Sequence, residues 1–354
     1  DSGLEGVYTA PTYARGVLSL TAGNPLLTAE AVGGVSLDSQ QTLTANGLLA
    51  RTPSGDWTTL GTTMTGGGIY AALILDGYLY VGGDFTSVNS VTGTAYFARY
   101  HIASQTWESC STTALNDMVR ALAGTPGGII YLGGDFTNIG GDTNADRIIA
   151  YNPQTGVYSK LSSDAPSGYV TALLLQAQTL YASGPFGYVG SLAVNGFARY
   201  DTVTKTWSTM GAGMSSLPAQ TYQFAEFPFA ATRGARKIIA AGDFSISASP
   251  SPIRGTAIWN GSSWSRCGDA SAVYCVENTT DGMYIGGVFA DVGGVAAAKI
   301  ARYNGFAWSA LGSGITGTQV DDIIQDVDGR IWVTGNFSAA GGLTVRGLAI
   351  WDGE

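Results

Sequence analysis

The sequence predicts an all-β protein in which one four-stranded unit is repeated six times around a closed ring. Three observations predict this fold: a recurring Gly-x-Phe motif, aromatic residues at fixed distances after each motif, and a composition rich in turn-forming residues. The chain has 354 residues, of which 51 are glycine and only 12% are charged. Such a composition favours many short strands joined by Gly-rich turns over long helices.

The Gly-x-Phe motif ends an apolar stretch six times, and its phenylalanines are 51, 50, 58, 45 and 48 residues apart. An aromatic residue closes a second apolar run 14 or 15 positions after each Phe, and a third aromatic follows in five of the repeats. The motif phenylalanines are Phe85, Phe136, Phe186, Phe244, Phe289 and Phe337. A repeat of about fifty residues therefore accounts for the length of the chain.

Each repeat has the pattern of four strands. The first shows small apolar alternation, as at residues 119–122, the second runs into Gly-x-Phe, and the third and fourth each carry an aromatic residue. Asp76-Gly77 and Asp281-Gly282 lie between the first two strands, where a tight hairpin needs residues that tolerate positive φ. Four antiparallel strands form one propeller blade, so we predict a six-bladed β-propeller.

The repeat resembles the kelch repeat, in which a double glycine ends the second strand, a Tyr lies on the third and a Trp lies on the fourth. Gly82-Gly83 with Tyr100 and Trp107 matches this pattern, and residues 200–207 are the closest single match. The Gly-x-Phe and Ala-Arg-Tyr segments also resemble the delta-sixty-type repeats of bacterial surface proteins. The resemblance covers residues 49–354 and implies a propeller like the central domain of galactose oxidase, as in bacterial surface and phage appendage proteins.

The sixth repeat ends at Trp351, so its fourth strand must come from elsewhere. Residues 50–61 align with residues 301–312 at a constant offset of 301 − 50 = 251. We therefore predict that residues 49–61 complete the last blade by pairing the strand around Trp57 with the strand that ends at Trp351. The chain then divides into a β-rich N-terminal arm, residues 1–48, and a propeller, residues 49–354. Removing residues 1–61 should destabilise this fold sharply, whereas removing residues 1–40 should not.

The charge balance excludes some classes of partner. With 17 basic and 26 acidic residues the net charge is −9, which disfavours binding to nucleic acid or anionic membranes. No apolar stretch approaches the roughly 18 to 20 residues of a membrane-spanning helix. A sequence poor in Lys and rich in Thr, Ser, Gly and Asn is common in exported proteins, so we expect an extracellular location at a cell surface, in a filament or on a virion.

The sequence lacks the residues that known propeller enzymes need. A copper oxidase related to galactose oxidase needs at least two imidazoles, and His101 is the only histidine of the chain. No sialidase box of the form Ser-x-Asp-x-Gly-x-x-Trp is intact, and the three cysteines have no metal-binding spacing. We therefore expect a protein that is not an enzyme, with no cofactor, no metal and no catalytic residue.

Two acidic residues stand out on a strand that should face the channel of the propeller. Asp321 and Asp322 lie on the first strand of the sixth repeat, and Asp322 takes the position of Ala121, Ala172 and Cys275 in other repeats. A carboxylate there could hold a cation or the hydroxyls of a sugar. The alternative is a pair of solvated acids that line the channel.

One hairpin of the fourth repeat is longer than its counterparts. The interval from Trp207 to Phe244 is 37 residues, against 25 to 29 elsewhere, and the additional length concentrates aromatic and basic residues. The candidate contact residues there are Phe227, Phe229, Arg233 and Arg236. Aromatic and Arg side chains are enriched in interface anchors, although the aromatics could equally extend the core of the blade.

These observations favour a non-catalytic structural or adhesive module that binds other protein subunits of an extracellular assembly. The alternative is a propeller that binds or acts on carbohydrate, such as a cell-surface glycan. The longer loops, between the second and third strands, emerge on the same face as the connections between blades, and this face is the expected binding face.

Overall fold

In the computed structural model, the repeats of the sequence become consecutive antiparallel sheets. The structure describes residues 64–215, 219–227, 237–247, 251–279, 281–325, 329–345, 347–351 and 353, with backbone alone at 220 and in the strands before residue 64. The first strand of each blade is called its inner strand here, because it packs against the first strand of the next blade.

Blades 1 to 3 follow the predicted four-strand pattern. Blade 1 consists of Ile69–Leu75, Tyr78–Gly83, Phe97–His101 and Thr106–Ser109. Blade 2 consists of Val119–Gly124, Ile130–Gly134, Ile148–Asn152 and Val157–Ser159. Blade 3 consists of Ala172–Gln176, Thr179–Ser183, Phe197–Asp201 and Thr206–Thr209.

Blades 4 and 5 repeat the pattern, and blade 6 has three main strands. Blade 4 consists of Gln220–Glu226, Ile238–Ile246, Ile253–Trp259 and Trp264–Arg266. Blade 5 consists of Ala272–Asn278, Met283–Val288, Ile300–Tyr303 and Trp308–Ala310. Blade 6 consists of Ile315–Gln325, Ile331–Ala340 and Leu348–Trp351, with Leu343–Thr344 added beside the end of the second strand.

Short elements lie outside these strands. Ile139–Gly141 forms a 3-10 turn in the long loop of blade 2. Small hairpins occupy the corresponding loops of two other blades, and one strand pair bridges the loop of blade 1: Tyr188–Val189 with Leu192–Ala193, Asp291–Val292 with Val295–Ala296, and Met64–Thr65 with Ser87–Val88. The cysteines Cys110, Cys267 and Cys275 are all free thiols.

The cores of the blades form where the recurring aromatic residues are buried. Phe85, Phe136 and Phe186 are at most 1% exposed, and the aromatic residues of the third strands, such as Tyr151 and Tyr200, are buried with them. Of the six core clusters in the described residues, five contain side chains from two neighbouring blades, such as the one that includes Tyr80 of blade 1 and Leu132 of blade 2, and the sixth lies within blade 1. Apolar burial between sheets therefore holds the ring together.

The predicted closure of the ring differs from the observed strand pairing. Trp57–Thr59 pairs with Gly47–Arg51, which pairs in turn with Leu26–Glu30 and then Leu18–Ser19, so these four strands form a sheet of their own. Leu348–Trp351 pairs with Ile331–Ala340. The segment before the first repeat thus supplies a complete N-terminal sheet, where we expected one strand for blade 6.

The N-terminal sheet closes the ring as an additional blade. Its first strand, Leu18–Ser19, lies beside the inner strands of both blade 6 and blade 1. Local pairing prevails because residues 52–56 connect two strands that are adjacent in sequence, whereas pairing with Trp351 would close a loop of almost the whole chain. The backbone of Gly6–Tyr8, Val35–Leu37 and Thr42–Leu43 forms a separate three-stranded sheet.

The observed pairing changes the expected effect of truncation. Deleting residues 1–40 removes the first two strands of the N-terminal sheet, so we predict that this deletion lowers the thermal midpoint nearly as much as deleting residues 1–61, by about 5 °C or more. Differential scanning calorimetry of both truncations beside a deletion of residues 1–5 tests this. A midpoint unchanged by the 1–40 deletion would contradict the N-terminal sheet.

Candidate functional site

Five of the six inner strands contain a β-bulge at equivalent positions. In each of these blades the strand register shifts at a residue that is left out of the pairing with the second strand, and blade 6 has two further register shifts closer to the start of its longer inner strand. These bulged residues are Tyr70, Arg120, Tyr222, Tyr274 and Asp321. A bulge aims a side chain away from the regular alternation of a strand.

In four of these blades, a glycine in the neighbouring strand makes room for the bulge. A Cβ atom on Gly83 would lie 2.0 Å from the carbonyl oxygen of Gly68, and one on Gly134 would lie 2.1 Å from that of Met118. Both carbonyls belong to the segment that leads into the inner strand. The glycine of these Gly-x-Phe motifs therefore permits a backbone approach that any side chain would prevent.

The bulged residues surround a cavity of about 300 Å³ at the mouth of the central channel. It lies near the start of the inner strands, on the face that carries the long loops and the blade connections, which is the face predicted to bind a partner. The polar and aromatic residues that line it are Tyr70, Arg120, Thr171, Tyr222, Gln223, Tyr274, Asp321 and Asp322. Alanines, Leu122, Leu173, Phe224 and Cys275 complete the wall. We call this cavity the channel mouth.

One side of the channel mouth is aromatic. The rings of Tyr222 and Tyr274, from neighbouring blades, meet edge to face with centroids 4.9 Å apart and an angle of 81°. Such a T-shaped pair fixes the orientation of both rings. Behind the pair, the backbone N–H of Val276 donates to Oε1 of Gln223 at 2.7 Å and joins the same two blades.

Next to the tyrosines, blade 6 contributes two carboxylates. Asp321 Oδ1 accepts a hydrogen bond from Nε2 of Gln319 at 2.5 Å, and Asp322 Oδ1 accepts one from the N–H of Ile323 at 2.9 Å. Burial raises the pKa of the Cys275 thiol well above its ordinary value, and the charges of Asp322 and Asp321 raise it further. The carboxylates thus adjoin a thiol that stays protonated at neutral pH.

The arginine of the channel mouth is held by its own blade. Nε and Nη2 of Arg120 donate to the two carboxylate oxygens of Asp135 at 3.0 and 2.8 Å, and the guanidinium lies 4.6 Å from the ring centroid of Tyr169. Burial lowers the pKa of Arg120, but its hydrogen bonds to Asp135 and the charge of that residue outweigh the effect, so the pKa is raised overall. Asp135 thereby neutralises Arg120.

A similar contact orients the bulged tyrosine of blade 1. Asp84 Oδ2 accepts a hydrogen bond from the hydroxyl of Tyr70 at 3.2 Å, and its Oδ1 accepts one from the N–H of Gly68 at 2.6 Å. Asp84 and Asp135 occupy the central position of their Gly-x-Phe motifs. In these two blades the motif carboxylate therefore positions the channel-mouth residue.

The structure brings together only part of the predicted site. Asp321 and Asp322 both line the channel mouth. Phe227 lies elsewhere: its partly buried ring packs against the core between blades 4 and 5, with its centroid 6.4 Å from that of Tyr303. Phe229, Arg233 and Arg236 lie outside the described residues.

Sequence reasoning missed the tyrosines, Arg120 and Thr171. A signal was present, because each follows directly on a Val, Ile or Thr at or next to the start of the inner strand. The position appears as a variable residue in an otherwise apolar pattern, which by itself does not distinguish a bulge from ordinary alternation.

Three further observations concern the described residues. They contain no group of three His, Cys, Asp or Glu side chains that could hold a metal ion. His101 lies on the third strand of blade 1, where its Nδ1 is 2.6 Å from the hydroxyl of Ser104. No described helix is long and apolar enough to span a membrane.

Comparisons with known proteins agree with the fold. No protein-family model and no curated protein matches the chain. The chain is similar to the solved extracellular domain of a protein assigned to the hybrid two-component systems of B. thetaiotaomicron, with a TM-score of 0.52 and 14% identity over 96% of this chain and 40% of that one. It is also similar to the computationally designed protein Ika8, with a TM-score of 0.51 and 14% identity over 99% of both chains. These similarities confirm the all-β propeller architecture.

The inner strands also carry a carboxyl group whose titration affects stability. Glu277 of blade 5 accepts a hydrogen bond from the N–H of Gln325 in blade 6 at 3.1 Å. Burial raises the pKa of Glu277 from 4.5 to about 7, against a smaller lowering by that hydrogen bond. Because the folded-state pKa exceeds the unfolded value, this group favours folding below pH 4.5, and the contribution is lost as pH rises to 7.

We predict that Glu277→Gln is more stable than the wild type by about 2 kcal/mol at pH 8 and by much less at pH 4, because the amide keeps an acceptor but cannot ionise. Urea unfolding of both proteins at the two pH values measures the difference. If the two proteins differed in unfolding free energy by the same amount at pH 4 and at pH 8, Glu277 would ionise as readily in the folded protein as in the unfolded chain.

Proposed function

We propose that this protein is a non-catalytic extracellular binding module that takes a saccharide at the channel mouth. The observation that carries the proposal is the set of bulged residues, which points aromatic and hydrogen-bonding groups from several blades into one cavity. A concave site with apolar walls and a few convergent polar groups is the usual form of a small-molecule site. Its volume of about 300 Å³ is at the small end of that class.

The chemistry of the lining suits sugar rings. Tyr222 and Tyr274 offer apolar ring surface with polar hydroxyl ends, which matches the alternating C–H and hydroxyl groups of a saccharide. Asp321 and Asp322 offer acceptor oxygens, and Thr171 and Gln223 lie among the same lining residues. Arg120 is already neutralised by Asp135, so the site is poorly suited to an anionic ligand.

The arrangement of the acids supports binding without hydrolysis. Asp321 and Asp322 are adjacent on one strand, and none of the described lining residues from the other blades carries a carboxyl group. Glycoside hydrolysis uses two carboxyl groups that flank the scissile bond, about 5 to 9 Å apart. Adjacent acids on one strand are better placed to accept hydrogen bonds from one face of a sugar.

Three observations support an extracellular location. The sequence is rich in Ser, Thr, Gly and Asn, and one solved structure of similar fold is an extracellular domain. The kelch-type pattern, with Gly82-Gly83, Tyr100 and Trp107, also resembles repeats of bacterial surface proteins. A cell-surface glycan is then the partner that the channel mouth would meet.

A second candidate function is a structural or adhesive module of a surface assembly, filament or phage appendage, with other protein subunits as partners. Tyr188 and Leu343 favour it, because they are 55% and 72% exposed in the long loops of blades 3 and 6. Of the residues predicted as anchors in the long hairpin, Phe227 is the one that the structure describes. It packs against the core of its own chain and so does not itself support contact with another subunit.

A glycan array followed by calorimetry tests the saccharide proposal. For a sugar that binds the wild type, we predict that Asp322→Ala and Tyr274→Ala each weaken binding about tenfold or more, because a charged hydrogen bond or a ring contact is lost. Asp291→Ala is the matched control, since Asp291 is an exposed residue in the long loop of blade 5, and it should bind like the wild type.

Binding unaffected by Asp322→Ala and Tyr274→Ala would place the sugar elsewhere on the protein. Absence of binding to any glycan, together with concentration-dependent assembly in sedimentation, would favour the assembly function. Replacing Tyr188 and Leu343 by Ser should then abolish the assembly.

A further inference from the structure

Neighbouring blades are joined at the outer rim by a recurring contact. An aromatic residue of the fourth strand stacks on the aromatic of the third strand and reaches back to the previous blade. Trp308 Nε1 donates to the carbonyl of Cys267 at 2.7 Å, and Trp264 Nε1 donates to that of Met210 at 2.8 Å. The indole ring thereby fills the gap between blades and satisfies a backbone acceptor.

The contact between blades 2 and 3 is a variant of this arrangement. The hydroxyl of Tyr200 donates to the carbonyl of Leu161, and Trp207 Nε1 donates instead to the hydroxyl of Ser162 at 3.2 Å. The hydroxyl of Ser162 also accepts the N–H of Asp164 at 3.2 Å. Here the indole N–H therefore donates to a serine hydroxyl, whereas Trp264 and Trp308 donate to backbone carbonyls.

The contact between blades 1 and 2 has the same framework with one smaller residue. The hydroxyl of Tyr151 donates to the carbonyl of Cys110 at 2.7 Å, and the hydroxyl of Ser111 accepts the N–H of Thr113 at 3.1 Å. Tyr158 takes the place of Trp207. Its centroid lies 5.4 Å from that of Tyr151 at 48°, against 5.0 Å and 49° for Trp207 on Tyr200.

At this contact a cleft of about 320 Å³ opens between the blades. Its lining includes Cys110, Ser111, Ile139, Gly140 and Tyr158. Between blades 4 and 5 the equivalent space is filled by the indole of Trp308. The ring is so close to the surrounding backbone that a Cβ added to Gly268 would lie 2.4 Å from its Nε1, and one added to Gly293 would lie 3.1 Å from its Cδ1. We call the opening between blades 1 and 2 the rim cleft.

We propose that the rim cleft binds a small planar heteroaromatic molecule of the indole type. The ring would lie beside Tyr158, between the chain around Cys110 and the loop at Gly140, and its N–H would donate to the hydroxyl of Ser111 as Trp207 donates to Ser162. The inference rests on the chain itself, which places the larger indole rings of Trp207, Trp264 and Trp308 where the smaller ring of Tyr158 leaves an open cleft beside it. It is independent of the saccharide site, because the residues of the two cavities are different.

Calorimetry with free indole tests the proposal. The wild type should bind one indole per chain, and Tyr158→Trp should weaken that binding at least tenfold because the new side chain occupies the cleft. Trp207→Tyr should bind a second indole, since it opens the equivalent space between blades 2 and 3. Asp322→Ala should bind indole like the wild type, which separates this site from the channel mouth.

The role of the N–H is tested first on the wild type, by comparing two ligands. 1-Methylindole has the same ring but no donor, so it should bind about fivefold more weakly than indole, and Ser111→Ala should remove that preference. The proposal is overturned if the wild type does not bind indole, if Tyr158→Trp binds it as tightly as the wild type, or if the two ligands bind equally.

Discussion

The structure depends on a close approach between backbones that only glycine permits. In five blades the glycine that begins the Gly-x-Phe motif lies against a backbone carbonyl oxygen in or just before the inner strand of the same blade. A Cβ atom added to that glycine would lie only 2.0 to 2.4 Å from the oxygen. In blades 1, 2 and 5 a second glycine precedes this glycine and gives room to a side chain of the next blade, since a Cβ on Gly133 would lie 2.6 Å from Cγ1 of Val170. One pair of residues therefore governs packing both within a blade and between blades.

This constraint separates a constant backbone from variable side chains. In four blades this glycine lies against the bulge, while the bulged position itself varies among Tyr70, Arg120, Tyr274 and Asp321. A rigid ring with variable residues around one cavity is a common way to build a binding site, because the scaffold bears the cost of ordering its groups before a ligand arrives. The chemistry of the channel mouth can thus change without a change of fold.

The sequence predicted the features that follow from periodicity. The spacing of the motif phenylalanines located the blades, and the alignment of Asp322 with Ala121 and Cys275 located it on an inner strand. Bulges were not predictable, because a residue left out of strand pairing looks like any other position in a short apolar run. The N-terminal sheet was missed for a related reason: its first two strands lack Gly-x-Phe, so only its last two could be aligned with a repeat. Phe227 shows that an aromatic residue in an insertion can extend a core as readily as it can form an interface.

The most direct test of this account is the unfolding free energy of Gly134→Ala measured beside Gly127→Ala. Gly127 adopts a positive φ of 68° in a turn with open space around it, so alanine there should cost only about 1 kcal/mol. At Gly134 the added Cβ would lie 2.1 Å from the carbonyl oxygen of Met118, so the account predicts a loss of about 3 kcal/mol or more. Equal losses at the two positions would show that the strands can separate at little cost, and would contradict the constraint from which the bulges and the channel mouth were derived.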